Sequence, residues 1–184
     1  MTAAFPRHRT SIAALQGAST ASIQRLLAEV AASFARDGLR VAGVVEIADP
    51  AASGACGRLA LRELSTGALF AISQDLGPGS TACNLDAGGL AAACAAVEQA
   101  LARGVDLVVI SKFGKQEAAR GGLADAFRAA VAAQAPILTA VSPAVAEAWA
   151  VFAGPLAEYL PANREAVAEW WDRCVGTALV PAAE

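Results

Sequence analysis

The residues best suited to chemistry are Lys112-Phe113-Gly114-Lys115-Gln116-Glu117. Two ammonium groups and a carboxylate lie within six positions, and Gly114 frees the backbone to approach a ligand. The segment runs on through Ala118-Ala119-Arg120-Gly121-Gly122, which adds a guanidinium and two further glycines. Lysine and arginine beside an anion-binding helix terminus complement a phosphate or an oxyanion. The plain alternative is a solvated charged loop.

A second candidate is Gly17-Ala18-Ser19-Thr20-Ala21-Ser22-Ile23-Gln24, where a strand is expected to turn into a helix. A phosphate-binding P-loop reads G-x-x-x-x-G-K-[ST]. Gly17 fits its start, but Ser22 replaces the second glycine, Ile23 the lysine and Gln24 the Mg²⁺-binding hydroxyl. Backbone N–H groups, the helix dipole and the hydroxyls of Ser19, Thr20 and Ser22 still suit an anion. The alternative is a simple helix cap. Asp86 is open to a metal or to capping a helix, and Cys83 to a reactive thiol or to inert burial. His8 is the one histidine, which argues against Ser-His-Asp or Cys-His catalysis and against a His-rich metal site. No metal ligands are assigned.

These groups need a scaffold. Residues 10–16 read as a buried strand. A helix follows from Ser19 or Thr20, with Ile23, Leu26, Leu27, Val30 and Phe34 at helical spacing, and Asp37-Gly38 ends it. Residues 39–47 form a second apolar strand. Residues 56–63 and 68–73 alternate apolar with polar across Ser65-Thr66-Gly67, a hairpin signal. A helix over 85–103, capped by Asp86 and stopped by Gly104, leads to a core strand at 105–110 and a polar loop from Ser111. A helix at 123–133, a strand at 136–141, the helix-start pair Ser142-Pro143 and a final helix carrying Trp170 and Trp171 complete the order.

The fold class is therefore α/β: three layers around a mostly parallel open sheet with a β-hairpin insertion. The 184 residues read as one domain, with a flexible tail over 1–9, the hairpin insertion over 55–74 and a C-terminal helix over 161–176. Ligands of such sheets sit beyond the carboxyl ends of the strands. The loops at 17–22, 111–122 and 142–143 all fall there.

Composition narrows the function. Mean hydropathy is high at +0.47, yet Glu98, Arg128 and Gln134 interrupt the longest apolar runs. None reaches the roughly 18 residues that a spanning helix needs. The start is too short in apolar residues for a secretory signal. A net charge of −3 offers no general attraction for nucleic acid or anionic membrane. The four cysteines, Cys56, Cys83, Cys94 and Cys174, show no C-x-x-C pattern, so reduced thiols in a cytoplasmic protein are expected. Trp149, Trp170 and Trp171 are open to packing, to a homo-oligomer contact or to base stacking.

The chain resembles an uncharacterised bacterial family, a domain of unknown function often encoded beside molybdate-transport genes. The matching pieces are Val41-Ala42-Gly43-Val44-Val45, Ile72-Ser73-Gln74-Asp75-Leu76-Gly77, Cys83-Asn84-Leu85-Asp86, Lys112-Phe113-Gly114-Lys115-Gln116-Glu117-Ala118 and Pro136-Ile137-Leu138-Thr139-Ala140-Val141. The family usually has Asn at Ser111 and Gly at Ala82. It is in turn similar to small P-loop nucleoside-triphosphatases, which carry an acidic pair followed by I-G-K-x-E. Gly114, Lys115 and Glu117 match that pattern, whereas Ser111 and Lys112 replace the acidic pair. The resemblance implies a P-loop NTPase type of fold and a degenerate nucleotide site. The implied ligand is a small anion, either a nucleotide or an oxyanion such as molybdate. Gly17, Ser19, Thr20, Ser22, Lys112, Gly114, Lys115 and Arg120 are the candidate contacts. An atypical nucleoside-triphosphatase using Lys115 and Glu117, with Mg²⁺ and a nucleotide, is the first alternative. A non-catalytic interaction module is the second.

Overall fold

The computed structural model describes residues 11–49, 58–73 and 85–176. Strand β1 (Ile12–Gln16), helix α1 (Thr20–Arg36) and strand β2 (Val41–Ala48) form the opening unit. Strands β3 (Leu59–Glu63) and β4 (Leu69–Ala71) make an antiparallel hairpin, and helix α2 (Ala87–Ala102) follows. Next come β5 (Leu107–Phe113), the short helix α3 (Lys115–Ala118), α4 (Ala124–Ala132) and β6 (Ile137–Val141). A 3₁₀ turn at Pro143–Val145 leads into α5 (Ala146–Ala153), then β7 (Ala157–Pro161) and α6 (Arg164–Gly176).

The strands form one sheet in the order β4-β3-β2-β5-β6-β1-β7. Strands β2, β5, β6, β1 and β7 pair in parallel, and the hairpin adds the antiparallel edge. Side chains alternate between two cores, as the period of a strand requires. Ala13, Leu15, Val45 and Val109 meet α1 and α6 on one face. Ile12, Ala14, Val44 and Val108 meet α2, α4 and α5 on the other. This is the expected three-layer α/β architecture of P-loop NTPase type. Neighbouring strands β1 and β6 pass into helices on opposite faces, so the order reverses between them. Open α/β sheets take ligands in that crevice.

Three elements differ from the sequence reading, one of them α3, which forms within the expected polar loop. Strand β7 was not anticipated; its residues include exposed Glu158 and Tyr159 and end in Pro161, which weakens any strand signal. Strand β5 does not stop at Ile110 but continues to Phe113. The reason is a β-bulge: Ile110 pairs with Thr139 and Phe113 with Val141, three steps on one strand against two on the other. The extra residue lets Ile110 and Phe113, three apart, reach the same core.

Trp149 and Trp170 are fully buried. Trp149 joins Phe113 and Phe127 at centroid distances of 5.0 and 5.9 Å. The Trp170 indole N–H donates to Ser11 Oγ at 2.9 Å. Both are therefore packing residues within the chain.

The hairpin turn has its own anchor. Glu63, 1% exposed, accepts hydrogen bonds from the backbone N–H and hydroxyl groups of Ser65 and Thr66 at 2.6–3.0 Å. Burial pushes its pKa up, but these four donors outweigh burial and hold it below the ordinary value. A depressed carboxylate pKa stabilises the fold above the unfolded value of roughly 4.3, and that contribution is lost as pH falls through the lower folded value. Glu63→Gln should therefore flatten the acid limb of a stability-versus-pH curve below about pH 5, which chemical denaturation across pH would measure. An unchanged acid limb would remove Glu63 from the account.

Candidate functional site

The first candidate loop leaves β1 at the switch point. Gly17 takes φ +88°, and Gly17, Ser19 and Thr20 are all exposed. Ser19 is the N-cap of α1: its Oγ accepts from the Ser22 backbone N–H at 3.2 Å and donates to Ser22 Oγ at 2.9 Å. The two serine hydroxyls thus spend part of their capacity on the cap.

One turn further along α1, Gln24 is buried and bridges two strands. Its side-chain N–H donates to the Ser111 carbonyl at 2.6 Å, and its carbonyl accepts from the Glu46 backbone N–H at 2.8 Å. Glu46, near the end of β2, accepts from Lys112 Nζ at 2.5 Å. Its side chain is 9% exposed, against 40% for Lys112. A hydroxyl and a carboxylate would hold Mg²⁺ in a P-loop enzyme. Here an amide and an ammonium stand in their places, each engaged with a protein partner, and this donor set does not fit the ion. Among the described residues, no group of three or more His, Cys, Asp or Glu side chains forms a metal site.

The third piece is the turn after β5. Gly114 is the N-cap of α3, and Glu117 folds back beneath it. One Glu117 oxygen accepts from the Gly114 N–H at 2.9 Å, the other from the Leu123 N–H at 2.8 Å. The carboxylate is only 6% exposed. Gly122 makes this possible: at φ +58°, a Cβ there would stand 2.1 Å from Glu117 Oε1. Lys115, one position after the cap, is exposed. Its ammonium makes no hydrogen bond or ion pair with the described residues.

The last two of these pieces contribute to a cavity of about 370 Å³ at the carboxyl end of β5, lined by Glu46, Lys112, Gly114, Lys115 and Glu117 among others. The structure thus brings together four of the candidates: Lys112, Gly114, Lys115 and Glu117. Arg120, with φ +64°, lines a separate apolar groove of about 810 Å³ between α4 and α5. Gly17, Ser19, Thr20 and Ser22 line neither space. Asp86 caps α2, accepting from the Gly88 N–H at 2.9 Å. Cys83 lies outside the described residues. Glu46 escaped the sequence reading, although one carboxylate in the otherwise apolar run Val44-Val45-Glu46-Ile47 was a signal.

The fold defines a three-layer α/β protein of P-loop NTPase type. Residues 12–170 match the family described as protein of unknown function DUF2478, and the chain belongs to that family. It is also similar to the "Molybdenum import ATP-binding protein ModC 2" of Bradyrhizobium diazoefficiens, 43% identical over 149 residues. That match covers 81% of this chain but 17% of the relative's length. No solved structure matches. Among the described residues, no helix is long and apolar enough to cross a membrane.

Proposed function

We propose that this chain is a cytoplasmic, P-loop-derived binding protein that takes a small phosphate-bearing ligand or oxyanion at the end of β5 and is not an efficient hydrolase. The observation that carries this reading is the convergence of Lys112 and Lys115 on one cavity, with the Lys115 ammonium unpaired among the described residues. Degeneracy of the nucleotide site is supported by the Gln24 bridge and by the Lys112–Glu46 pair. Glu117, the candidate base, already receives two backbone N–H groups. Lys115 supplies a cation at the cavity, so binding is expected without Mg²⁺. A molybdenum-related role is the finest part of the proposal; it rests on the name of the Bradyrhizobium relative.

A thermal-shift screen against ATP, ADP, GTP, molybdate, tungstate, sulfate and phosphate, with and without Mg²⁺, tests the proposal. A ligand at roughly 100 times its dissociation constant should stabilise the native state by about 2.7 kcal/mol. Lys115→Ala should remove most of that shift, and Mg²⁺ should leave it unchanged. Mg²⁺-dependent phosphate release abolished by Lys115→Ala would point to a working nucleoside-triphosphatase. No shift with any anion would favour an interaction module.

A further inference from the structure

We infer that the cavity at the end of β5 takes an organic monoanion with an apolar body, in preference to a bare inorganic oxyanion or a nucleoside triphosphate. This rests on the binding role proposed above and narrows its ligand. The cavity's 370 Å³ lies in the range of roughly 300–1,000 Å³ that organic ligands fill. Leu61, Ile72, Leu90 and Leu123 contribute to its wall, and they are 1%, 3%, 8% and 2% exposed. A tetrahedral oxyanion held at the lysines would leave the part of that wall that faces the cavity uncovered, forfeiting the dispersion that a filled cavity provides.

Charge points the same way. Among the described residues, the ionisable groups lining the cavity are Lys112, Lys115, Glu46 and Glu117, two positive against two negative, a formal sum of zero. A triphosphate would bring several negative charges beside buried carboxylates, with Lys115 the one unpaired cation among the described lining residues. A single anionic group needs one cation. Lys115 supplies it and leaves the Lys112–Glu46 pair intact. The ligand class is therefore a molecule with one carboxylate, sulfonate or phosphodiester group and a hydrophobic remainder that packs on the leucines.

Isothermal titration with naphthalene-1-sulfonate, the neutral naphthalene-1-sulfonamide, inorganic phosphate, molybdate and ATP tests the inference. The full chain is compared with Lys115→Ala and with Leu85→Glu. Leu85 lines the cavity and is 39% exposed, so a carboxylate there repels an anion without disturbing the core. The sulfonate should bind once per chain, at least about tenfold tighter than every other probe, and each variant should weaken it by about tenfold or more. Phosphate or molybdate binding through Lys115 without sulfonate binding overturns this inference and leaves the broader binding role standing. If no probe binds, both fall. Sulfonate binding that keeps its strength in either variant lies elsewhere on the protein and also overturns the inference.

Discussion

Replacing Glu117 with alanine should destabilise the protein by about 3–5 kcal/mol and lower its melting temperature by roughly 10 °C. The carboxylate is buried and accepts two backbone N–H groups, those of Gly114 and Leu123. Leaving a buried donor unpaired costs about 1–3 kcal/mol, and bonds to charged acceptors lie at the upper end. Alanine orphans both donors together and empties the space beneath α3. Glu117→Gln keeps the shape and one carbonyl oxygen, so its loss should be about half as large. Denaturant unfolding of both variants measures the difference. A loss below about 1 kcal/mol for Glu117→Ala would mean that the two N–H groups find other partners. The expected result makes Glu117 a positioning residue: it sets the turn that presents Lys115, so anion binding should fall along with stability.

Gln24→Leu is the second large effect, expected at about 2–4 kcal/mol. Leucine roughly keeps the volume, so the loss isolates the hydrogen bonds to Ser111 and Glu46. Those bonds tie α1 to the ends of β5 and β2 across a strand that lies between β1 and β5. Losing them frees a buried carbonyl and a part-buried N–H, and loosens the strand end that carries Lys112. The midpoint of urea unfolding should fall with little change in slope. A midpoint within error of the parent protein would show that β2 and β5 hold their ends unaided.

Much of this architecture follows from local chemistry in the chain. Ser19 before an amphipathic run, Asp86 before α2 and Gly104 after it mark helix ends through groups that act within a few residues. The Ser65-Thr66-Gly67 turn is equally local. What escaped detection is long-range or irregular. A bulge shows no period in sequence, so β5 reads as ending at Ile110 when pairing with β6 carries it to Phe113. Strand β7 is held by its pairing with β1 and by Leu160, its one buried residue. The site follows the same division. Lys112, Gly114, Lys115 and Glu117 are close in sequence and lie together. Gln24 and Glu46 reach Ser111 and Lys112 across separations of 87 and 66 residues, which no spacing rule anticipates.

The edges of the sheet bear on how this protein meets others. At one edge β4 is three residues long. At the other, β7 ends in Pro161, and its Glu158 is tied to Arg173 at 2.8 Å. A brief strand, a missing N–H and a charged side chain are the devices by which proteins resist pairing with a foreign strand. Both borders therefore discourage growth of the sheet into another molecule, and association through backbone ladders is disfavoured. Among the described residues, the helical layers are the broad surfaces left for a macromolecular neighbour to meet through side chains.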